Sequence, residues 1–159
     1  MTSSSVNVAQ TEEIKVHEYN NGCRYEGQWK GNQRHGQGTF TWPSGSAYAG
    51  EFKNDKRHGE GKMQYSDGTE YSGEWKNDAR DGKGVFTWPS NAGRYEGDFR
   101  DDQMHGEGHL VWQSGADYNG AWRYNKKMGK GIMKYRDQST YEGDWKDDAR
   151  NGEGVMTWP

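Results

Sequence analysis

The sequence predicts an all-β protein, an elongated single-sheet solenoid of six stacked antiparallel β-hairpins with an N-terminal half-repeat cap. The motif Tyr-x-Gly-x-Trp/Phe recurs six times at intervals of 23 or 24 residues. Within each copy, large side chains alternate with polar ones, which is the period of a half-buried strand. Glycine supplies 24 of the 159 residues and aromatic residues supply 14%, which disfavours long helices because each helical glycine is destabilising.

The six repeats begin at residues 25, 48, 71, 95, 118 and 141 and fill residues 25–159. Counted from its tyrosine, every repeat has glycine at positions 3, 12 and 14 and a large apolar or aromatic residue at positions 5, 16 and 18. Two strands therefore flank a short polar turn. Because a lone hairpin is marginally stable in water, the hairpins are expected to stack and bury one face. The predicted structural face comprises Tyr25, Trp29, Tyr48, Phe52, Tyr71, Trp75, Tyr95, Phe99, Tyr118, Trp122, Tyr141 and Trp145.

The segment before the first repeat has two parts. Residues 13–24 keep the spacing of a second repeat strand, with Tyr19 at position 18 and Gly22 at position 21, so they are expected to form a cap strand. Residues 1–12 show no pattern and are predicted to be a mobile tail. The single 24-residue interval is explained by one inserted residue near Asn91.

The repeat resembles a known family. Tyr25–Lys30 followed by Arg34–Gly38, and Tyr48–Lys53 followed by Arg57–Gly61, are similar to the MORN repeat, named for the membrane occupation and recognition nexus. The resemblance covers residues 25–159. It implies stacked hairpins in an elongated twisted sheet and a scaffold role in cytoskeletal, ciliary or membrane-junction assemblies. It also implies two other roles, phospholipid binding and targeting modules attached to lipid kinases or methyltransferases.

The residues do not predict a catalytic, cofactor or metal site. His35, His58 and His105 share position 11, but equivalent residues of successive repeats lie about 10 Å apart, too far to share a zinc ion. Carboxylates recur in every repeat, whereas a catalytic pair should be singular. No Gly-Lys-Ser/Thr motif is present, and the net charge of -3 disfavours nucleic-acid binding.

The sequence has no features of a membrane or secreted protein. It contains no apolar run of about 18 residues, and its first residues lack the apolar stretch of a signal peptide. Its single cysteine, Cys23, excludes an intramolecular disulfide. We therefore expect a cytoplasmic protein, with the cytoskeleton, the cilium or the cytosolic face of a membrane as its locations.

Position 10 forms a row of basic residues that is interrupted once. Aspartates two residues earlier in most turns are expected to cancel this charge, giving an ordinary zwitterionic turn. The alternative is a row that meets phosphates or an acidic filament. The row consists of Arg34, Arg57, Arg80, Met104, Lys127 and Arg150.

The fourth and fifth repeats differ from the others. Residues 95–117 carry a net charge of -5 and residues 118–140 a net charge of +5, which either neutralise each other or form a dipolar surface. Tyr124 is the one aromatic residue outside the repeat pattern, and it lies in the fifth turn. Such a turn suits a partner or membrane contact, or is an exposed turn that has drifted. The candidate partner or lipid contacts are Met104, Tyr124, Lys126, Lys127, Met128, Lys130, Lys134 and Arg136.

The sequence favours a non-enzymatic scaffold or adaptor that presents an extended β-surface to other proteins at fixed spacing. One alternative is a targeting module that binds anionic phospholipid weakly through the basic fifth repeat. Another is the regulatory segment of a larger enzyme such as a lipid kinase, which the end of the sequence within the sixth repeat suggests. A homo-oligomer is left open, and no cofactor is expected.

Overall fold

The computed structural model describes residues 13–159 as one antiparallel sheet of thirteen strands that follow each other in chain order. The prediction of a single all-β sheet is confirmed. Residues 1–12, predicted to be a mobile tail, lie outside the described residues. The strands are β1 Ile14–Glu18, β2 Arg24–Lys30, β3 Gln33–Thr41, β4 Ala47–Lys53, β5 Lys56–Gln64, β6 Glu70–Lys76, β7 Ala79–Thr87, β8 Gly93–Arg100, β9 Gln103–Trp112, β10 Asp117–Arg123, β11 Lys126–Lys134, β12 Thr140–Lys146 and β13 Ala149–Thr157.

Strands β2 to β13 form six hairpins, and β1 adds a strand before the first of them. β1 pairs with β2 from Ile14 opposite Gln28 to Glu18 opposite Arg24. The inserted residue of the third repeat is accommodated by a one-turn 3-10 helix, Pro89–Asn91, between β7 and β8.

A tyrosine ring fills the space that two paired glycines leave open in each hairpin. In the second hairpin, Gly50 lies opposite Gly61, and a Cβ built on Gly61 would lie 2.6 Å from Cε2 of Tyr48. Tyr48 is fully buried, and its hydroxyl donates to the carbonyl oxygen of Glu51 at 2.9 Å. Glycine at positions 3 and 14 is thus required by the tyrosine ring of position 1, which lies over its own strand and over the neighbouring strand of the same hairpin.

The rings of positions 1 and 5 form one continuous ladder along the sheet. Tyr48 packs edge-to-face on Phe52 of its own repeat and on Trp75 of the next, with centroid distances of 5.1 and 5.4 Å. The same pair of contacts recurs from Tyr25 to Trp145. This geometry is the preferred one for aromatic pairs, so each repeat is stabilised by its neighbour.

Hydrogen bonds from the tryptophans also connect successive repeats. Trp75 Nε1 donates to the carbonyl oxygen of Gly61 at 3.1 Å, and Trp122 Nε1 donates to that of Gly108 at 3.0 Å. Burying an indole requires such a partner. A bare glycine backbone on the preceding strand lets the ring come close enough to reach it.

Placing a methyl group at Gly61 should disrupt this packing. We expect Gly61→Ala to lower the free energy of unfolding by about 1–3 kcal/mol, because the added Cβ overlaps the Tyr48 ring. Urea denaturation followed by tryptophan fluorescence measures the change. The matched control is Gly31→Asn in the first turn, where an added Cβ meets nothing within 4 Å. Equal stability of Gly61→Ala and the native chain would contradict the assigned packing.

The buried tyrosines should also make the fold sensitive to alkaline pH. Burial raises the pKa of Tyr25 and of Tyr118 to about 12, whereas an unfolded tyrosine titrates near 10. Between pH 10 and pH 12 the unfolded chain therefore binds fewer protons than the folded chain, and the free energy of unfolding falls as pH rises. Melting temperatures measured from pH 8 to pH 12, with tyrosinate absorbance recorded in parallel, test this. Full tyrosine ionisation near pH 10 without unfolding would contradict it.

Candidate functional site

The three arginines that begin the basic row at position 10 are engaged within the sheet. Cζ of Arg57 lies 4.2 Å from the centroid of the Trp75 ring. Its Nε donates to Asp78 Oδ1 at 3.1 Å and its Nη2 donates to Asp78 O at 2.8 Å. The pair joins position 10 of one repeat to position 8 of the next, which corrects the expectation that the two charges cancel within one turn. Arg34 with Asp55 and Arg80 with Asp102 repeat the arrangement.

The joint between the fourth and fifth repeats keeps this geometry but loses both charges. The N–H of Met104 donates to Asn125 Oδ1 at 2.8 Å, and the N–H of Asn125 donates to the carbonyl oxygen of Met104 at 3.0 Å. The side chain of Met104 packs against the aromatic core. Met104 replaces the basic residue of position 10, and Asn125 replaces the aspartate of position 8 in the next repeat. Of the five joints between successive repeats, this one has no charged pair at these positions.

Tyr124 occupies a backbone position that does not suit a bulky residue. Its side chain is 54% exposed and its φ is +52°. This left-handed region favours glycine, asparagine and aspartate, and it strains larger residues. The ring packs on His105 with a centroid distance of 5.4 Å. The equivalent residues of the other turns are Gly31, Asn54, Asn77, Asp101 and Asp147.

Two positive charges of the fifth repeat form ion pairs in the described residues, and both of their partners belong to the sixth repeat and not to the acidic fourth. Lys130 Nζ lies 2.9 Å from a carboxylate oxygen of Asp144, and this hydrogen bond raises the pKa of Lys130 and lowers that of Asp144. Lys126 Nζ lies 3.3 Å from Asp147 Oδ1. Lys127 is half-buried over the Trp145 ring, 4.7 Å from its centroid, and this burial lowers its pKa.

The eight predicted contact residues do not form one patch. Lys130 and Lys134 project from β11 on the face opposite the aromatic rings, and Arg136 follows the far end of that strand. The nine residues of β11 separate its two ends by about 26 Å. The residues that the structure places at the turn edge, here called the fifth-turn patch, are Met104, Tyr124, Lys126, Lys127 and Met128.

The face opposite the aromatic rings carries a groove that the repeat pattern did not predict. Three shallow depressions of about 670, 690 and 600 Å³ follow one another across the strands. Neighbouring depressions share Glu60 and Ser72 at one junction and Glu107 and Asn119 at the other, so they form one continuous feature, the glycine groove. Its lining includes Gly27, Gly38, Gly50, Gly61, Gly73, Gly84, Gly97, Gly108, Gly120, Gly131, Gly143 and Gly154.

Two rows of side chains border the glycine groove. The strand register aligns positions 2 and 15 on one side, as in Ser72 opposite Val85. It aligns positions 4 and 13 on the other side, as in Glu60 opposite Glu74. We call these the 2/15 row and the 4/13 row. Every repeat contributes to both rows, so the groove extends along all six hairpins.

The structure gives no grouping of metal ligands or membrane-spanning helix in the part of the chain that it describes. Over residues 13–159, no three or more His, Cys, Asp or Glu residues come close enough to hold a metal ion. The Nδ1 atoms of His35, His58 and His105 are each buried without a hydrogen-bond partner, one in each of three separate hairpins. No helix in this part is long and apolar enough to cross a membrane.

Six consecutive matches to the MORN repeat cover residues 25–47, 48–70, 71–92, 95–116, 118–140 and 141–159. The chain belongs to the MORN-repeat family. The resemblance expected from the tyrosine and glycine spacing is thereby confirmed. No curated protein matches the sequence.

The MORN sheet is similar to two solved structures. One is the TCP domain of SAS-4 (dCPAP) from Drosophila melanogaster in complex with a proline-rich motif of Ana2 (dSTIL), with 12% identity over 100% of this chain and 91% of that chain and a TM-score of 0.55. The other is the TCP10 domain of Danio rerio CPAP in complex with a peptide of STIL, with 13% identity over 93% of this chain and 75% of that chain and a TM-score of 0.33. At 12% identity the first likeness shows the fold alone.

Relieving the backbone strain at Tyr124 should stabilise the MORN sheet. Tyr124→Asn introduces the residue found at Asn54 and Asn77, and we expect the free energy of unfolding to rise by about 1 kcal/mol in urea denaturation. The matched control is Asn77→Tyr, which creates the same strain in the third turn and should lower stability by a similar amount. A loss of stability in Tyr124→Asn would contradict this prediction. It would mean that packing of the Tyr124 ring stabilises the fold by more than the strained backbone at Tyr124 destabilises it.

Proposed function

We propose that this MORN-repeat chain is a non-enzymatic scaffold that binds extended segments of partner proteins, in a cytoskeletal, ciliary or membrane-associated assembly. The observation that carries the proposal is the glycine groove, which continues across all six hairpins. A groove that is shallow, long and open suits a stretched polypeptide better than a small molecule, since small-molecule sites enclose most of the ligand surface.

The dimensions of the groove fit an extended chain. Strands β2 to β13 are separated by eleven spacings of about 4.8 Å, so the groove is about 53 Å long. An extended segment of about 16 residues spans that distance. Because neighbouring strands pair the backbone groups of the sheet with each other, the occupant is held by side-chain contacts and by the shape of the groove.

The solved structure that shares the fold supports this assignment. The SAS-4 TCP domain is described in complex with a proline-rich motif of another protein, so a sheet of this kind binds a short segment there. We infer that the present chain uses the same general mode, with specificity set by its own 2/15 and 4/13 rows.

The pairing of the lysines in the fifth repeat disfavours the alternative function, a lipid-targeting module. Lys126 and Lys130 pair with carboxylates of the sixth repeat, and Lys127 is held over an aromatic ring. Membrane attraction depends on clustered basic residues whose charge is free. A regulatory role within a larger enzyme is a further expectation from the family resemblance.

Selection of linear peptides on the whole chain tests the proposed function. Random peptides displayed on phage are selected on the native protein, and their affinities are then measured for a variant with Ser72→Trp and Asn119→Trp. Both residues are exposed and line the groove, so the indoles should obstruct it and lower affinity at least tenfold. Vesicles of phosphatidylserine are tested in parallel at two salt concentrations.

The matched control is Gln64→Trp, an exposed residue of β5 outside the groove lining, which should leave peptide affinity unchanged. Failure to select any linear peptide, or equal binding to native and obstructed chains, would contradict the proposal. Vesicle flotation that is strong at low salt and lost at high salt would favour the lipid-targeting alternative instead.

A further inference from the structure

The 4/13 row makes one side of the glycine groove acidic. It contains seven carboxylates and two lysines, while the whole chain has a net charge of -3. Both lysines are paired within the row, with Lys83 Nζ 2.6 Å from Asp98 Oδ1 and Lys130 Nζ 2.9 Å from Asp144 Oδ1. The seven carboxylates are those of Glu51, Glu60, Glu74, Asp98, Glu107, Asp144 and Glu153.

Three of these carboxylates are free, and two of the three, Glu60 and Glu107, line the middle section of the groove. The side chains of Glu51, Glu74 and Asp98 accept hydrogen bonds from backbone N–H groups of position 13 at 3.3, 2.7 and 2.9 Å. In contrast, within residues 13–159 the carboxylates of Glu60, Glu107 and Glu153 accept no hydrogen bond and form no ion pair. Glu60 and Glu107 both belong to the section of about 690 Å³, whereas Glu153 lies in the section of about 600 Å³.

The separation of Glu60 and Glu107 defines the spacing of the two free carboxylates in the middle section. Glu60 lies on β5 and Glu107 on β9, four strand spacings apart, which is about 19 Å. An extended segment rises about 3.3 Å per residue, so six residues cover this distance. Six is an even number, and side chains i and i+6 of an extended segment therefore point to the same side.

The opposite side of the middle section has an apolar residue halfway along. Val85 of the 2/15 row lies on β7, midway between β5 and β9. In an extended segment the side chain of residue i+3 points away from those of i and i+6. The side chain of residue i+3 would therefore contact Val85, while those of residues i and i+6 contact Glu60 and Glu107. The acid of the 2/15 row in this section, Glu96, is paired with Arg94 at 2.7 Å.

Building on the proposed function, we propose that the middle of the glycine groove binds an extended segment of a partner protein with the pattern basic-x2-apolar-x2-basic. The basic residues pair with Glu60 and Glu107, and the apolar residue packs on Val85. Charge complementarity selects this occupant. The N-terminal segment of this chain does not fit the pattern, because residues 1–12 contain no lysine or arginine. An anionic lipid headgroup would be repelled by the carboxylates of the 4/13 row.

A titration of the isotopically labelled whole chain with a synthetic peptide tests the proposal. The probe is acetyl-Gly-Arg-Ser-Thr-Val-Thr-Ser-Arg-Gly-amide, and binding is followed by amide chemical shifts at low ionic strength. We expect the largest shifts at the middle glycines of the groove. A peptide of the same composition with its arginines three residues apart should bind about fivefold more weakly, because it reaches one carboxylate at a time.

A charge-matched pair of variants isolates the two carboxylates. Glu60→Gln with Glu107→Gln should weaken binding of the probe about fivefold, whereas Asp101→Asn with Asp147→Asn removes two exposed turn carboxylates and should have a smaller effect. An effect of the groove variant no greater than that of the control, or shifts centred outside the groove, would overturn the inference.

The outcome can be separated from that of the proposed function. If selected peptides bind in the groove but have no basic pair at this spacing, for example proline-rich and uncharged sequences, the basic-segment inference fails and the scaffold function stands. If the selected peptides bind the variant with Ser72→Trp and Asn119→Trp as tightly as they bind the native chain, the proposed function itself fails.

Discussion

The fold depends on a tyrosine ring that lies on a pair of glycines. In the second hairpin the Tyr48 ring occupies the space where side chains of Gly50 and Gly61 would be, and its hydroxyl donates to a carbonyl oxygen of its own strand. One sheet can then bury large rings without a second layer above it. The edge-to-face ladder follows, because each buried tyrosine presents its ring to position 5 of two successive repeats.

The strand order, the buried face and the family could be predicted from the spacing of Tyr25 and its counterparts, because alternation and a fixed period constrain a repeat structure strongly. The partners of the charged turn residues could not be predicted in this way. The turns of the second and third repeats each contain an aspartate and an arginine. Pairing within one turn and pairing between two turns would therefore involve the same residue types. The pairing is decided by how neighbouring hairpins pack, which places Arg57 against Asp78.

The candidate sites were predictable to different degrees. Tyr124 could be identified because it breaks the repeat pattern, although its strained backbone could not. The glycine groove could not be predicted, because the alternation of residues predicts rows of side chains on the face opposite the aromatic rings but not the depth of the space between the rows. Glu60 and Glu107 are ordinary members of a polar row in the sequence. They become distinct because they line the middle section of the groove while the carboxylates of Glu51, Glu74 and Asp98 accept backbone hydrogen bonds.

The ladder has a consequence for evolution by duplication. Each ring of the ladder contacts its own repeat and one adjacent repeat, so an added hairpin extends the sheet without rearranging the others. Every hairpin lengthens the array by two strand spacings, about 9.6 Å. The distance between two proteins bound along such a sheet can therefore change only in whole steps of that size, and the repeat number acts as a molecular ruler.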